Sequence, residues 1–321
     1  MKHFLSCDWG TSSLRLRLAD TGDGKILAEA RSGDGIAQTF EQWQQSGLPD
    51  DKKVGFYLKV IDRQIRELES ETRQSLNGLP VVLSGMASSS IGFIELPYTS
   101  MPFRTGGGEM TTAQVAANRV FEHDVLVISG ARTTDDVMRG EETQLIGSIE
   151  RGRMVKNELF IFPGTHAKHI LVKNNQAIAV KSFMTGEVFA LLAQNSILKN
   201  SVESGSFDAA VFKQGLKAAA AGNLLNLIFK VRTNSLFEVC SGNENYHYLS
   251  GLLIGAEIKD LASADAEALN LVCGNDLRIP YQIALEEMAP DKKLLIFSPG
   301  DADEATVKGQ LIIAKQLKIW S

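Results

Sequence analysis

The chain has 321 residues, of which 44% are hydrophobic, 22% charged and 7% aromatic, the make-up of a globular protein with a sizeable core and room for two domains. Lys and Arg total 33 against 38 Asp and Glu, a net charge of -5, so nothing in the charge balance draws the chain toward nucleic acid or an anionic membrane. Cys7, Cys240 and Cys273 are widely spaced and form no C-x-x-C pair, which points to reduced, buried thiols rather than a disulfide framework or a zinc ribbon. The apolar run after Met1 stops at Asp8, and no stretch of about 18 apolar residues occurs; a cytoplasmic location is therefore expected.

Three short strands are predicted at 3–7, 14–20 and 25–31, joined by D-W-G-T-S-S and by the hairpin turn T-G-D-G. Glycine and small hydroxyl residues give tight turns with free backbone N–H groups, so the first turn is a candidate anion cradle. Over 52–75 the apolar residues Val54, Leu58, Ile61, Ile65 and Leu68 recur at helical spacing, which predicts an amphipathic crossover helix. Buried strands follow at 79–83, ending at S-G-M-A, and at 125–128, ending at S-G-A.

The pattern restarts at residue 159, where L-F-I-F-P-G-T-H-A-K-H-I-L-V-K repeats the strand, G-T turn and strand of the beginning, and Gly164 and Thr165 match Gly10 and Thr11. A third strand at 177–183, helices over 187–262, strands at 269–273 and 294–297 and a last helix at 303–317 complete it. The order of three strands, helix, strand, helix, strand, helix is expected twice. Two related α/β domains are predicted, 1–153 and 154–321, with a cleft between them.

Two G-T hairpins suit a nucleotide triphosphate chain. Asp8, at the end of a buried strand, needs a partner, and a Mg²⁺ ion brought by the nucleotide supplies one directly or through water; the alternative is a capped β-turn in which Asp8 bonds its own backbone. D-W-G-T-S-S-L-R resembles the first phosphate motif of the sugar kinase, heat-shock protein 70 and actin superfamily. The segments D-V-M-R-G-E-E-T-Q-L-I-G, F-P-G-T-H-A-K, M-T-G-E, S-G-M-A and L-S-G-L-L-I-G-A-E resemble 2-dehydro-3-deoxygalactonokinases over nearly the whole chain. Two positions depart from that family: His169 and Phe93 stand where it usually carries an aromatic residue and a Trp.

The resemblance implies a duplicated actin-like (ribonuclease H-like) two-domain sugar kinase fold, ATP with Mg²⁺, and transfer of a phosphoryl group to the terminal hydroxyl of a 2-oxo sugar acid. In this reading Asp8, Gly10, Thr11 and Ser12 meet the phosphates from the first domain. Gly164, Thr165, His166 and Lys168 meet them from the second, with Gly274 and Gly300 beside the adenine. Asp135, Asp136, Glu141 and Glu142 are candidates for the base, and Asp136 is chosen by analogy with related sugar kinases. Ser84, Gly85, Met86, Arg104, Arg139, Glu141 and Glu142 are assigned to the substrate; Arg139 and Arg104 are candidates for its carboxylate, against an ion-pair organiser and a mobile loop as their plain readings. The H-x-x-H pair of His166 and His169 lacks a third ligand for a metal.

The expected function is phosphorylation of 2-dehydro-3-deoxy-D-galactonate to its 6-phosphate. The alternatives are another sugar acid, such as 2-dehydro-3-deoxy-gluconate, or a nucleotide-dependent switch. A small sugar acid is the expected partner, and a homodimer is the candidate assembly.

Overall fold

Alternating apolar residues at the start of the chain build a meander of β1 (His3–Trp9), β2 (Leu14–Asp20) and β3 (Ile26–Ser32), and the computed structural model describes residues 2–149 and 153–318 of the protein. There follow α1 (Ile36–Gln45), α2 (Lys53–Thr72), β4 (Val81–Gly85), the short strands β5 (Thr99–Ser100), β6 (Phe103–Arg104) and β7 (Thr112–Val115), β8 (Val125–Ile128), the hairpin β9 (Ala131–Arg132) and β10 (Val137–Met138), and α3 (Glu141–Ser148). The second half runs β11 (Asn157–Phe162), β12 (Ala167–Lys173), β13 (Gln176–Phe183), α4 (Thr185–Asn195), α5 (Ala209–Ala221), α6 (Leu224–Leu236), α7 (Gly242–Ile258), β14 (Ala268–Leu271), α8 (Asn275–Met288), β15 (Lys293–Ile296) and α9 (Pro299–Gln316). Among the described residues no helix is long and apolar enough to cross a membrane.

The described residues group into two units, one within 1–155, 173–180 and 300–321, the other within 156–172 and 181–299. This division is not a single cut near 153, because the chain crosses back twice and the C-terminal helix α9 belongs to the first unit.

In the first unit the strand order is β3-β2-β1-β4-β8-β7, with β1 antiparallel to β2, parallel to β4, and β4 parallel to β8. The other six-stranded sheet has the order β15-β14-β11-β12-β13-β6. Read from the third strand of each meander, β3-β2-β1-β4-β8 and β13-β12-β11-β14-β15 are one topology used twice. The helix expected between β4 and β8 is absent. Pro97, Pro102 and Gly106 to Gly108 remove donors and loosen the backbone there, and the segment forms short strands, with β7 added antiparallel to the edge strand β8.

The first core gathers Leu5, Cys7, Trp9, Leu14, Leu16 and Leu18 from the hairpin against Tyr57, Leu58, Ile61, Ile65 and Leu68 of α2, the helical stripe read from the sequence. Each such side chain contributes about 1.5–3 kcal/mol when fully buried. Trp9 and Tyr57 meet at 5.6 Å between ring centroids, and their polar ends are satisfied by the carbonyls of Asp34 and Ile91. The second core packs Ile161, Leu269 and Leu271 of the sheet against Phe212, Leu216, Ile254, Ile258, Tyr281 and Leu285 of the helices.

Candidate active site

In the first unit the G-T turn between β1 and β2 rests on the start of α1, a helix the sequence reading did not find. The N–H groups of Ile36 and Ala37 donate to the carbonyls of Gly10 and Thr11, both at 3.0 Å. A Cβ on Gly35 would lie 2.3 Å from the Thr11 carbonyl oxygen, so only glycine lets the helix start approach the turn. Thr11 and Ser12 remain exposed at its tip.

Beside this turn Asp8, Arg15, Arg17, Arg139, Gly140, Glu141, Gln144, Ala302, Asp303 and Thr306 line a polar cavity of about 220 Å³. Burial pushes the Asp8 carboxyl up, with Arg17 and Arg15 pulling the other way. Arg17 is 1% exposed, donates from Nε to Glu29 at 2.5 Å, and has Asp303 3.7 Å from Nη2. Arg139 donates to the Ser88 hydroxyl at 2.8 Å and lies over the Tyr98 ring at 4.2 Å. A hydrogen bond and a stacked ring thus fix its planar head, instead of the carboxylates that surround it in sequence.

Two glycines bring the supporting loops together. Gly85 has φ +80, and a Cβ there would lie 2.8 Å from the Trp9 carbonyl and 3.3 Å from Asp8 Oδ1; Gly140 has φ +113 and faces the Gly85 Cα, with its own added Cβ at 3.4 Å. Gln310 of α9 is fully buried and donates from Nε2 to the Cys7 carbonyl at 3.0 Å and to the Ser84 hydroxyl at 2.8 Å. It ties the ends of β1 and β4 across 303 and 226 residues of sequence. Helix α9 crosses α3 through Gly147 and Gly309, where a Cβ would come within 1.8 Å of the Ala305 carbonyl and 1.9 Å of the Thr143 carbonyl, respectively.

The assigned residues therefore divide. Asp8, Arg139 and Glu141 meet in the cavity. Asp136 is not among its lining residues; it sits in the β9–β10 turn, where its carboxylate accepts from the Val137 N–H at 2.7 Å. Glu142 is fully buried and turns back to accept from the Gly140 N–H at 2.8 and 3.0 Å and from the Thr143 hydroxyl at 3.0 Å. Its place is beneath the loop, and it is not among the residues that line the cavity. Ser84 is buried, Gly85 serves the backbone, and Met86 packs against the core; none of the three lines the cavity. Arg104, 75% exposed and 3.6 Å from Glu109, lines a separate groove of about 590 Å³ with Thr105, Asn174 and Asn175. Gly300 lies in the first turn of α9, within the first unit and not the second.

In the second unit the matching turn carries Gly164 with open space beside its Cα, and Thr165 and His166 exposed. The His166 ring pairs with Glu187. Lys168 is 6% exposed and donates from Nζ to the His166 carbonyl at 3.1 Å, so its ammonium braces the turn. His169, where the resemblance would put an aromatic ring, packs on Phe183 at 4.6 Å and bonds Glu257. Gly164, Thr165, Thr185, Gly186, Phe189, Tyr246, Ser250, Leu253, Ile254, Leu277 and Tyr281 line a cavity of about 280 Å³, in which aromatic and aliphatic walls meet a row of hydroxyls. Gly274 caps α8 with nothing within 4 Å of an added Cβ.

No set of three or more His, Cys, Asp or Glu among the described residues gathers as a metal site. Asp8, a single partly exposed carboxylate on a cavity wall, fits a Mg²⁺ ion that keeps its waters and arrives with phosphate.

A model of the family described as 2-keto-3-deoxy-galactonokinase matches residues 8–313. A Rhizobium meliloti (strain 1021) protein that bears the name probable 2-dehydro-3-deoxygalactonokinase DgoK1 is 30% identical over 99% of this chain and 98% of its own. The Escherichia coli (strain K12) 2-dehydro-3-deoxygalactonokinase is 29% identical over 90% of this chain and 91% of its own. A crystal structure of a Sinorhizobium meliloti protein bearing the same enzyme name superposes with a TM-score of 0.80 at 27% identity, over 99% of this chain and 98% of that one. The fold is the duplicated actin-like α/β fold of sugar kinases, and the chain belongs to the 2-keto-3-deoxy-galactonokinase family.

Proposed function

We propose that the protein transfers the γ-phosphoryl group of ATP to the terminal hydroxyl of 2-dehydro-3-deoxy-D-galactonate, giving the 6-phosphate. The observation that carries the reading is the cavity in which Asp8, Glu141 and the fixed guanidinium of Arg139 converge beside the first G-T turn. Arg139 binds the sugar acid carboxylate, and the turn from Gly10 to Ser12 takes the phosphate oxygens. As the new P–O bond forms and the bond to the leaving ADP breaks, the hydroxyl proton passes to a carboxylate. Asp136 is the carboxylate expected from the sequence; the cavity lining favours Glu141, and we assign the base to it. Asp8 would hold the Mg²⁺ that accompanies the nucleotide, and the ion would supply neutralisation of phosphate charge.

The first unit is the side for sugar acid and phosphate, and the second, through Gly164 to Lys168, Gly274 and its own cavity, the side for phosphate and adenine. The exposed Leu225, Phe229, Leu236 and Phe237 of the α6 region support a homodimer, which light scattering on the purified chain decides.

The test is steady-state ADP release with Mg-ATP and a panel of sugar acids. Turnover should be highest with the galactonate derivative. A kcat/KM for 2-dehydro-3-deoxy-gluconate equal to or above it would move the assignment to that epimer. Asp136→Asn and Glu141→Gln, compared side by side, identify the base: loss of about 100-fold or more in kcat is expected for Glu141→Gln alone.

A further inference from the structure

Glu257 lies on α7 with its side chain 1% exposed, and a carboxylate at that depth persists only when its oxygens are satisfied. Three other elements supply the donors. His169 of β12 reaches Oε1 from Nε2 at 2.9 Å, the Thr185 hydroxyl at the start of α4 donates to Oε2 at 2.5 Å, and the Tyr281 hydroxyl of α8 donates to Oε2 at 2.6 Å. Hydrogen bonds to a charged acceptor are about twice as strong as neutral ones, so this one group pins four elements at a point.

Two of the three donors are also walls of the 280 Å³ cavity, next to Gly164 and Thr165. From Thr185 the connection runs on through the backbone. An added Cβ on Gly186 would lie 2.5 Å from the Gly164 carbonyl and 2.9 Å from the Thr165 Cα, so the two segments are in backbone contact. The Glu187 N–H donates to the Thr165 carbonyl at 3.0 Å, and its carboxylate holds the His166 ring. The T-G-E segment is thus seated on the G-T turn, and its first hydroxyl is anchored to Glu257.

We propose that Glu257 is the positioning residue of the nucleotide side of the enzyme. It touches no ligand, and through Thr185 it sets the height of the Gly164–Thr165 turn while holding the Tyr281 ring in the cavity wall. The inference rests on the reading of this cavity and turn as the nucleotide-binding surface. A carboxylate that merely filled a gap would affect stability and leave ligand affinity alone, and this difference is measurable.

The experiment is calorimetric titration of ADP into the full chain, with melting curves and steady-state kinetics on the same samples. Glu257→Gln keeps the size and removes the charge. It should raise the ADP dissociation constant about tenfold or more, the worth of one hydrogen bond to a charged group, with the sugar acid KM within twofold. Thr185→Val should do the same and Thr185→Ser should restore wild-type affinity. Glu257→Gln with Thr185→Val should be no worse than Thr185→Val alone, since both act on the one bond from Thr185 to Glu257, which the amide weakens and valine removes. Unchanged ADP affinity in folded Glu257→Gln overturns the proposal. So do additive losses in the double variant, which would mean that Thr185 touches the nucleotide independently. Where Glu257→Gln does not fold, the contrast of Thr185→Val with Thr185→Ser carries the test, because the carboxylate keeps His169 and Tyr281; equal ADP affinity in the two overturns it. Wild-type protein that binds no ADP, while folded, removes the nucleotide reading itself and the proposal with it.

Discussion

Glu142→Gln should remove a pH dependence from the stability of the first unit. Glu142 is fully buried beneath the loop that carries Arg139, and burial first, then its neighbour Glu141, lifts its carboxyl from 4.5 to about 7 against the bonds from Gly140 and Thr143. An acid whose folded value is raised binds its proton more tightly folded than unfolded. Its contribution is fully present below pH 4.5 and is lost as pH rises through about 7. At about 1.4 kcal/mol per unit, that rise amounts to about 3 kcal/mol between the two limits. Glutamine keeps a carbonyl for the Gly140 N–H and cannot ionise. In urea unfolding from pH 5 to pH 8, the stability of the wild type should therefore fall relative to Glu142→Gln, by up to about 3 kcal/mol, and the variant should be the more stable protein at pH 8. Parallel pH profiles for the two proteins would refute the reasoning, since they would mean that Glu142 ionises in the folded protein as readily as in the unfolded chain.

Gly147→Ala should destabilise the first unit by about 3 kcal/mol or more, because its Cβ meets the Ala305 carbonyl at 1.8 Å and the two helices must separate; an unchanged urea midpoint would contradict the crossing. Gly55→Ala, also in a helix but with nothing within 4 Å, should stabilise by about 0.5–1 kcal/mol in the same assay. Arg139→Lys should raise the sugar acid KM about tenfold and leave the KM for ATP within twofold, because the planar stack on Tyr98 and the fork that meets a carboxylate are both lost; an unaltered sugar acid KM would move the carboxylate site elsewhere.

What could be read from the sequence was local. Alternation in L-R-L-R-L-A and the helical stripe of α2 predicted the elements that form, and the recurrence of the G-T turn revealed the duplicated topology, since each depends on neighbours within a few residues. The remainder depends on contacts that no local pattern records. Gln310 reads as an ordinary helix residue until it is seen bonding the Cys7 carbonyl and Ser84, and Glu257 looks like the polar end of an apolar helix until His169, Thr185 and Tyr281 converge on it. The cluster R-G-E-E was recognisable as chemistry but not divisible. Its two carboxylates differ by one position and by 100° around the helix, which puts Glu141 on the cavity and Glu142 underneath it. For Arg104, a Gly-rich neighbourhood suggested a ligand loop, and the fold gives it a groove apart from Asp8.

Transfer of label from γ-³²P-ATP tests the central claim most directly. Purified protein with Mg²⁺ and 2-dehydro-3-deoxy-D-galactonate should place the label in an organic phosphate ester on the terminal carbon, with little inorganic phosphate and no transfer when the sugar acid is omitted. Label appearing only as inorganic phosphate, at one rate with and without the sugar acid, would contradict the account.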